Sequence, residues 1–480
     1  MTQYRELYQS GNYEACEDEC RKQLSSNNSD PDIWFALCLS LISQKKWQEA
    51  MSASGDALGN LKLPPHEASV FHQFAGDAAL GSGDDEAAIE HYRQASDLAP
   101  GRADAHYALA QTHFALNEFS PCERALDRIF LIGPSVDDAV YAKALYMFSR
   151  LPNDDTAADF FERYPTLKPK VDDPFFFYGM GNLLVRDQQY ELSARFFDMA
   201  NNLKRQAEPY NFSRDMEVLE QHEKNLDEYQ SSLDHEIVDL EPRPVFIVGM
   251  PRSGSSILEQ MLGAHSAITP MGEGDWLLKS IRREAKVGYG PKGIELVATK
   301  GKEKAFCEQV RQNFRDIVGA AGSKVVVDKT LANFHFIELI RLAFPNALII
   351  HASREKGPSV WSSFKTNFTK GVRYSESLEE LSRYFDGVEA LLSRWHDKLP
   401  TMMMRVWYEE LVAKPEQTVR IILERIGLEF EEDCLRPWQQ ERIVETASKV
   451  QVTQPIYERA NLDFEPYREL ITTRLKEFEE

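Results

Sequence analysis

The sequence predicts two unlike parts: an all-α helical-repeat solenoid, followed by an α/β domain with a parallel sheet and a P-loop-like turn. Three observations predict this. From Tyr4 to about Arg205 the residues read as helices with no convincing strand, and a 34-residue period runs through them. From Pro244 onward, short β-favouring runs alternate with helical segments, the order expected of a parallel sheet. The first such run, PVFIVGMPRSGSSIL from Pro244 to Leu258, passes through Gly249 and Gly254 into the start of a helix. The predicted divisions are a solenoid over 1–210, a helical or extended linker over 211–242 and the α/β domain over 243–480.

Pro100 and Pro134 lie 34 residues apart, and each closes a helical segment before a polar restart. In the unit from Ser69 to about Gly101, Gly76 sits inside the first helix while Ala88, Tyr92 and Ala95 line the second. The unit from Pro31 repeats this with Trp34, Ala50 and Ala57, and the unit from Pro174 with Gly181, Phe197 and Ala200. Small residues at those places let the two helices of a hairpin approach, and the aromatics fill the gaps. With its 34-residue period, the region resembles the tetratricopeptide repeat. The segment Leu151 to Lys170 is irregular. Such units bury a face only by stacking, so a solenoid with a groove is expected. The groove either recognises a peptide or protein, or serves as a scaffold or homodimerisation arm; the residues leave both open. From Gln206 to Glu241 the chain turns charged, and Pro242 and Pro244 mark the domain boundary.

Composition limits the partners. At 480 residues, 43% hydrophobic with 11% aromatic content supports real cores and excludes wholesale disorder. The net charge of −21 repels nucleic acid and anionic lipid on average, so an anion site has to be a local basic pocket. No stretch approaches the roughly 18 to 20 apolar residues of a membrane span, and the N-terminus lacks the apolar region of a secretion signal. The cysteines Cys16, Cys20, Cys38, Cys122, Cys307 and Cys434 are scattered without a metal-ligand pattern. The expectation is a reduced, cytoplasmic protein with no metal, nucleic-acid or membrane partner.

The spacing of Gly249 and Gly254 is that of G-x-x-x-x-G-K-[ST], with Ser255 in place of the lysine. In such loops backbone N–H groups and a helix N-terminus converge on an anion, and Arg252 offers the cation that the missing lysine does not. Two further strand-to-helix elements follow: Lys324 to Lys329, and Ala347 to His351 ending in the turn ASREKGPSVWSSF. Ligands of parallel sheets sit at the carboxyl ends of the strands, so Arg252, Lys329 and Arg354 are expected at one edge. Three cations there in an acidic chain point to an anion with more than one charged group, although Lys329 and Arg354 taken singly also suit ordinary ion pairs. Glu273, 17 residues beyond Ser256 and flanked by Gly272 and Gly274, is a candidate general base or a solvated loop carboxylate.

Together GMPRSGSSILEQML, MGE, DKTLANF, the SRE…SVWSS turn and VWYEELVAKPEQTVRIILERIGLEF resemble a sulfotransferase. The likeness runs from about Arg243 to Tyr467 and is nearest to bacterial proteins that join tetratricopeptide repeats to a domain related to tyrosylprotein sulfotransferase. The resemblance implies that Arg252, Ser253, Gly254, Ser255 and Ser256 hold the 5′-phosphosulfate of 3′-phosphoadenosine-5′-phosphosulfate (PAPS). It implies that Arg354 and Ser362 bind the 3′-phosphate, that Glu273 is the base and that Lys329 stabilises the transferring group. Arg252 would assist Lys329 at the departing phosphate. Tyr408 and Ser448 match further cofactor contacts, with a core ring and a helix cap as their plainer roles. The implied activity is sulfuryl transfer to a hydroxyl acceptor, a protein or peptide tyrosine or a small metabolite, without a metal.

This chain departs from its relatives in two places. Many carry Arg-Arg-Asp-Pro at the second turn, where Ser353-Arg354-Glu355-Lys356 stands here, and a basic residue before a tryptophan near the C-terminus, where Asp463-Phe464 stands. Two other readings compete: a repeat scaffold whose domain only binds nucleotide, and a P-loop kinase, for which the Walker lysine and a clear Walker-B aspartate are missing.

Overall fold

Helix caps set out the first part of the chain. In the computed structural model, which describes residues 3–165, 171–228, 241–319, 323–368, 371–439, 461 and 463–477, the chain divides into two units, Met1–Gln189 and Tyr190–Glu480. The described residues of the first unit form helices and no strand. Helix Pro65–Ser82 stops at Gly83, which adopts the left-handed conformation, and helix Asp85–Leu98 starts on Asp84, whose carboxylate accepts from the Ala87 N–H. The hairpin closes where Gly76 meets Tyr92: a Cβ on Gly76 would stand 2.6 Å from Tyr92 Cε1. Tyr92 is buried and donates its hydroxyl to Asp77 at 2.7 Å, and Ala88 and Ala95 are buried beside it. In the pair Pro31–Ser43 and Trp47–Asn60, Ala50 and Ala57 are likewise buried, and Trp34 Nε1 donates to Asn28 O at 2.9 Å. The irregular stretch after Leu151 contains a short helix, Ala157–Arg163, opened by a reciprocal Thr156–Asp159 capping box. Seven residues are too few to show a helical period in sequence.

Helix Tyr190–Ala207, counted with the repeats in the sequence reading, lies in the second unit. There Phe197 meets Trp361 edge-on at 5.8 Å, and Asn201 Nδ2 donates to Phe364 O at 3.0 Å. The expected linker holds helix Phe212–Asp227, which buries Val218, Leu219, His222 and Leu226. An amphipathic helix carries the same apolar stripe whichever core it covers, so periodicity alone does not assign it.

The second unit is built on five parallel strands: β1 (Arg243–Gly249), β2 (Ile268–Pro270), β3 (Val325–Asp328), β4 (Leu348–Ser353) and β5 (Met403–Trp407). They lie in the order β2-β3-β1-β4-β5, so β1 is central, with Val245 opposite both Val327 and Leu348. Both of its faces are covered. Val245 and Ile247 join a core with Leu258, Leu262, Val419 and Ile422, while Phe246 packs on the other side against Phe314 and Phe344. A strand covered on both faces reads as a continuous apolar run, which is why β1, β3 and β4 were legible. β2 is only three residues long, and neither β2 nor β5 was read as a strand from sequence. No helix among the described residues is long and apolar enough to cross a membrane.

Gly249 ends β1 at φ +140°, and a Cβ there would stand 2.5 Å from Ala352 O. Gly249→Ala is expected to destabilise the second unit by about 2 kcal/mol or more, read as a lower urea midpoint. The same unit buries neutral histidines. Burial pushes His222 and His396 down to about 4, with His351 and Arg405 adding to the effect on His396, and burial lowers His335 and His351 as well. The unfolded chain therefore binds more protons between pH 6.5 and about 4, and stability is expected to fall as pH falls through that window. Asp328 acts in the opposite sense, because burial raises its carboxyl to about 6 against the hydrogen bonds of Thr330. Asp328→Asn should therefore steepen the pH dependence of the unfolding free energy between pH 4 and 6; an unchanged or shallower slope would contradict this.

Candidate functional site: an anion loop beside a carboxylate–lysine pair

The chain leaves β1 toward β2 on one side and later returns to β4 on the other, and in such sheets ligands bind at the carboxyl end of the strand where the order reverses, here β1. The loop from Gly249 to Gly254 sits at that point. Arg252 has φ +65°, an uncommon conformation for a non-glycine residue. Its Nε donates to Ser362 Oγ at 2.9 Å, and its own carbonyl accepts from Arg354 Nη1 at 3.2 Å. Ser359 and Ser363 point their hydroxyls at Pro251 O, at 3.5 and 3.3 Å. Helix Lys356–Phe364 therefore ties down the loop from one side.

From another side comes Tyr408, the first residue of the helix after β5. A Cβ on Gly254, at φ +86°, would overlap the Tyr408 ring, and the Arg354 guanidinium lies over the same ring at 4.7 Å. Burial pushes Arg354 below its ordinary range, against the pull of Tyr408, Glu409 and Asp463. Ser253, Ser255 and Ser256 are buried in the loop and the first turn of helix Ser255–Gly263. That turn has N–H groups without intrahelical acceptors and the positive end of the helix dipole. Ser253 Oγ is buried with no hydrogen-bond partner among the described residues. Such a hydroxyl in a cation-lined loop suits an anion that completes its bonding.

The second half of the site lies on the other side of β1, past the end of β3. The register sets Phe246 beside Asp328 and Gly249 beside Ala352, so Lys329 and Arg354 stand at the same sheet edge as the loop. Lys329 is fully buried and forms an ion pair with Glu273, whose side chain is 50% exposed. Gly272, at φ +67°, turns the chain to present Glu273, and its carbonyl accepts from the Lys329 N–H at 3.1 Å. Asp328 accepts from the Thr330 N–H at 2.9 Å. A carboxylate half open to solvent is able to accept a proton, and a buried ammonium beside it opposes negative charge developing nearby.

Arg252, Gly254, Arg354, Ser362 and Tyr408 thus form one continuous contact, and Glu273 and Lys329 form another. Ser448 lies outside the described residues. Three participants escaped the sequence reading. Asn461 Oδ1 accepts from Arg354 Nε and Nη2 at 3.1 and 2.8 Å, and its Nδ2 donates to Glu409 at 3.1 Å. Nothing in sequence links positions 107 residues apart. Burial pushes Lys365 down, Asp463 pulls it back, and Arg252 and Arg354 push it down again, so its charge is coupled to both arginines. Its signal was a basic residue directly after helix Lys356–Phe364. Glu259 lies on the buried face of helix Ser255–Gly263, accepts from the Gly272 N–H at 2.7 Å and stands 3.9 Å from Lys329 Nζ. A carboxylate among apolar helix positions was the available hint. No group of three or more metal-ligating residues occurs among the described residues.

A family model described as "Sulfotransferase family" matches residues 244–432, and one described as "Tetratricopeptide repeat" matches residues 79–146. The chain carries a sulfotransferase-family domain together with tetratricopeptide repeats. It is 30% identical over 244 residues to an uncharacterized protein of Aquifex aeolicus (strain VF5), covering 48% of this chain and 31% of that one. It is 21% identical over 196 residues to protein-tyrosine sulfotransferase 2 of Gallus gallus, covering 40% and 53%. Among solved structures, the sulfotransferase domain from the Synechococcus PCC 7002 olefin synthase aligns at 18% identity with a TM-score of 0.35, over 50% of this chain and 98% of that one. The chain spans about a third to a half of the length of the curated relatives it matches.

Proposed function

We propose that the sulfotransferase-family domain moves a sulfuryl group from PAPS to a hydroxyl acceptor, a tyrosine of a protein or peptide or the hydroxyl of a small metabolite. The observation that carries this reading is one sheet edge with a cation-lined loop and, beside it, a half-exposed carboxylate paired to a buried lysine. PAPS would supply the sulfuryl group, which passes between oxygens much as phosphoryl groups do, so that positioning and electrostatics supply most of the rate. The loop amides with Arg252, Ser253, Ser255 and Ser256 would hold the phosphosulfate. Arg354, Ser362 and Tyr408 would hold the nucleotide end, and Ser448 is assigned there on resemblance alone. Glu273 would take the acceptor's proton as the acceptor oxygen takes the sulfuryl group, and Lys329 and Arg252 would oppose the charge left on the departing phosphate oxygen. No metal is required, because cationic side chains meet that charge.

The half exposure of Glu273 suits an acceptor that arrives from solvent. The repeats are proposed to hold a peptide or protein acceptor, or a second copy of the chain. The six cysteines are all buried and unpaired, in keeping with a proposed reducing, cytoplasmic setting. The acidic surface argues against nucleic acid or membrane as partner.

The cofactor assignment is checked by thermal shift: adenosine 3′,5′-bisphosphate is expected to raise Tm well above any shift from ADP at equal concentration, since the stabilisation by a native-state ligand grows with the logarithm of its concentration over Kd. Arg354→Met should erase most of that preference, and equal shifts would contradict the assignment. Transfer of labelled sulfate from PAPS to a panel of phenolic and aliphatic hydroxyls checks the reaction. Glu273→Ala should lower turnover by about 10²–10⁴-fold while leaving bisphosphate binding intact, and full turnover would remove Glu273 from its role. Bisphosphate binding with no transfer to any acceptor would favour the scaffold reading.

A further inference from the structure

Lys329 is a fully buried cation with two carboxylates nearby, and the two differ in kind. Glu273 is half exposed; Glu259 is buried, with 7% of its side chain accessible, and lies on the helix that begins at the anion loop. A buried ammonium is costly unless a counter-charge stays close. In the transfer proposed above, the hydroxyl proton goes to Glu273, the sulfuryl group to the acceptor oxygen and the electron pair of the broken bond to the leaving phosphate oxygen. Glu273 thereby loses its charge when Lys329 is needed as a cation. Only a carboxylate shielded from the acceptor keeps its charge through that step.

Glu259 has the geometry for this. One oxygen stands 3.9 Å from Lys329 Nζ, and the other accepts from the Gly272 N–H at 2.7 Å. The opposite side of Gly272, its carbonyl, is held by the Lys329 N–H at 3.1 Å. Gly272 directly precedes Glu273 and takes a left-handed turn, so the orientation of the base is set by a backbone gripped from both sides. Resting on the sulfuryl-transfer reading, we propose that Glu259 is a positioning residue: it fixes the Gly272 turn and supplies the constant counter-charge of Lys329 while Glu273 changes protonation. Glu259 links the anion loop to the base through a single helix turn, because the helix that starts at the loop carries it.

The test is Glu259→Gln, whose amide oxygen still accepts from the Gly272 N–H but whose charge is gone. In labelled-sulfate transfer, kcat is expected to fall at least tenfold, with KM for PAPS and the bisphosphate thermal shift within twofold of wild type, and Glu259→Asp should recover part of the loss. A kcat within twofold of wild type overturns the proposal, as does a loss confined to KM. An activity-independent readout is a cycle of melting temperatures for Glu259→Gln, Lys329→Met and the double variant. Charge pairing predicts that the double variant loses several degrees less than the sum of the single losses; additive losses overturn the proposal even where transfer is intact. Wild-type chain that couples in this cycle yet transfers no sulfate to any acceptor overturns the sulfuryl-transfer reading itself and, with it, the positioning role.

Discussion

The close approach of the β1 terminus to β4 is the constraint on which the site depends. Ala352 O lies so near Gly249 that no side chain fits, and the chain has to swing directly into the loop. That swing puts the loop between β3 and β4, so everything following those strands converges on it. Arg354 and Ser362 come from the β4 side and Lys329 from the β3 side. Were β1 an edge strand, the loop would have neighbours on one side only.

The loop is held by more than its own turn. Ser359 and Ser363 fasten Pro251, Ser362 meets Arg252, and Tyr408 closes over Gly254 beneath the Arg354 guanidinium. Preorganisation of this kind matters for sulfuryl transfer, where little covalent chemistry falls to the protein and charge must be met in place. The departures noted in sequence also find a physical setting. The charge of Asp463 acts on Lys365 and Arg354, so an acidic group tempers the cations beside the loop.

The carboxylate–lysine side follows a different logic. A fully buried lysine is tolerated because two carboxylates stand near it, and these differ in exposure: Glu273 is half open to solvent and Glu259 is buried. The Gly272 turn joins the two through backbone hydrogen bonds, so the orientation of Glu273 and the charge balance of Lys329 are one structural feature.

Local patterns carried much of this from sequence alone. The helical repeats, the strands covered on both faces, the glycine spacing and the cations after each strand are short-range features whose spacing reflects backbone geometry. They sufficed for the fold class and for Arg252, Arg354, Lys329 and Glu273 as candidates. What remained hidden depends on long-range packing. The helix Tyr190–Ala207 shows the same stripe whichever core it covers, and β2 is too short to have a period. Asn461, Lys365 and Glu259 enter the site only because folding brings distant positions within hydrogen-bonding or charge range. A residue's type and spacing determine which chemistry it can perform; which partner stands opposite is decided when the sheet closes around β1.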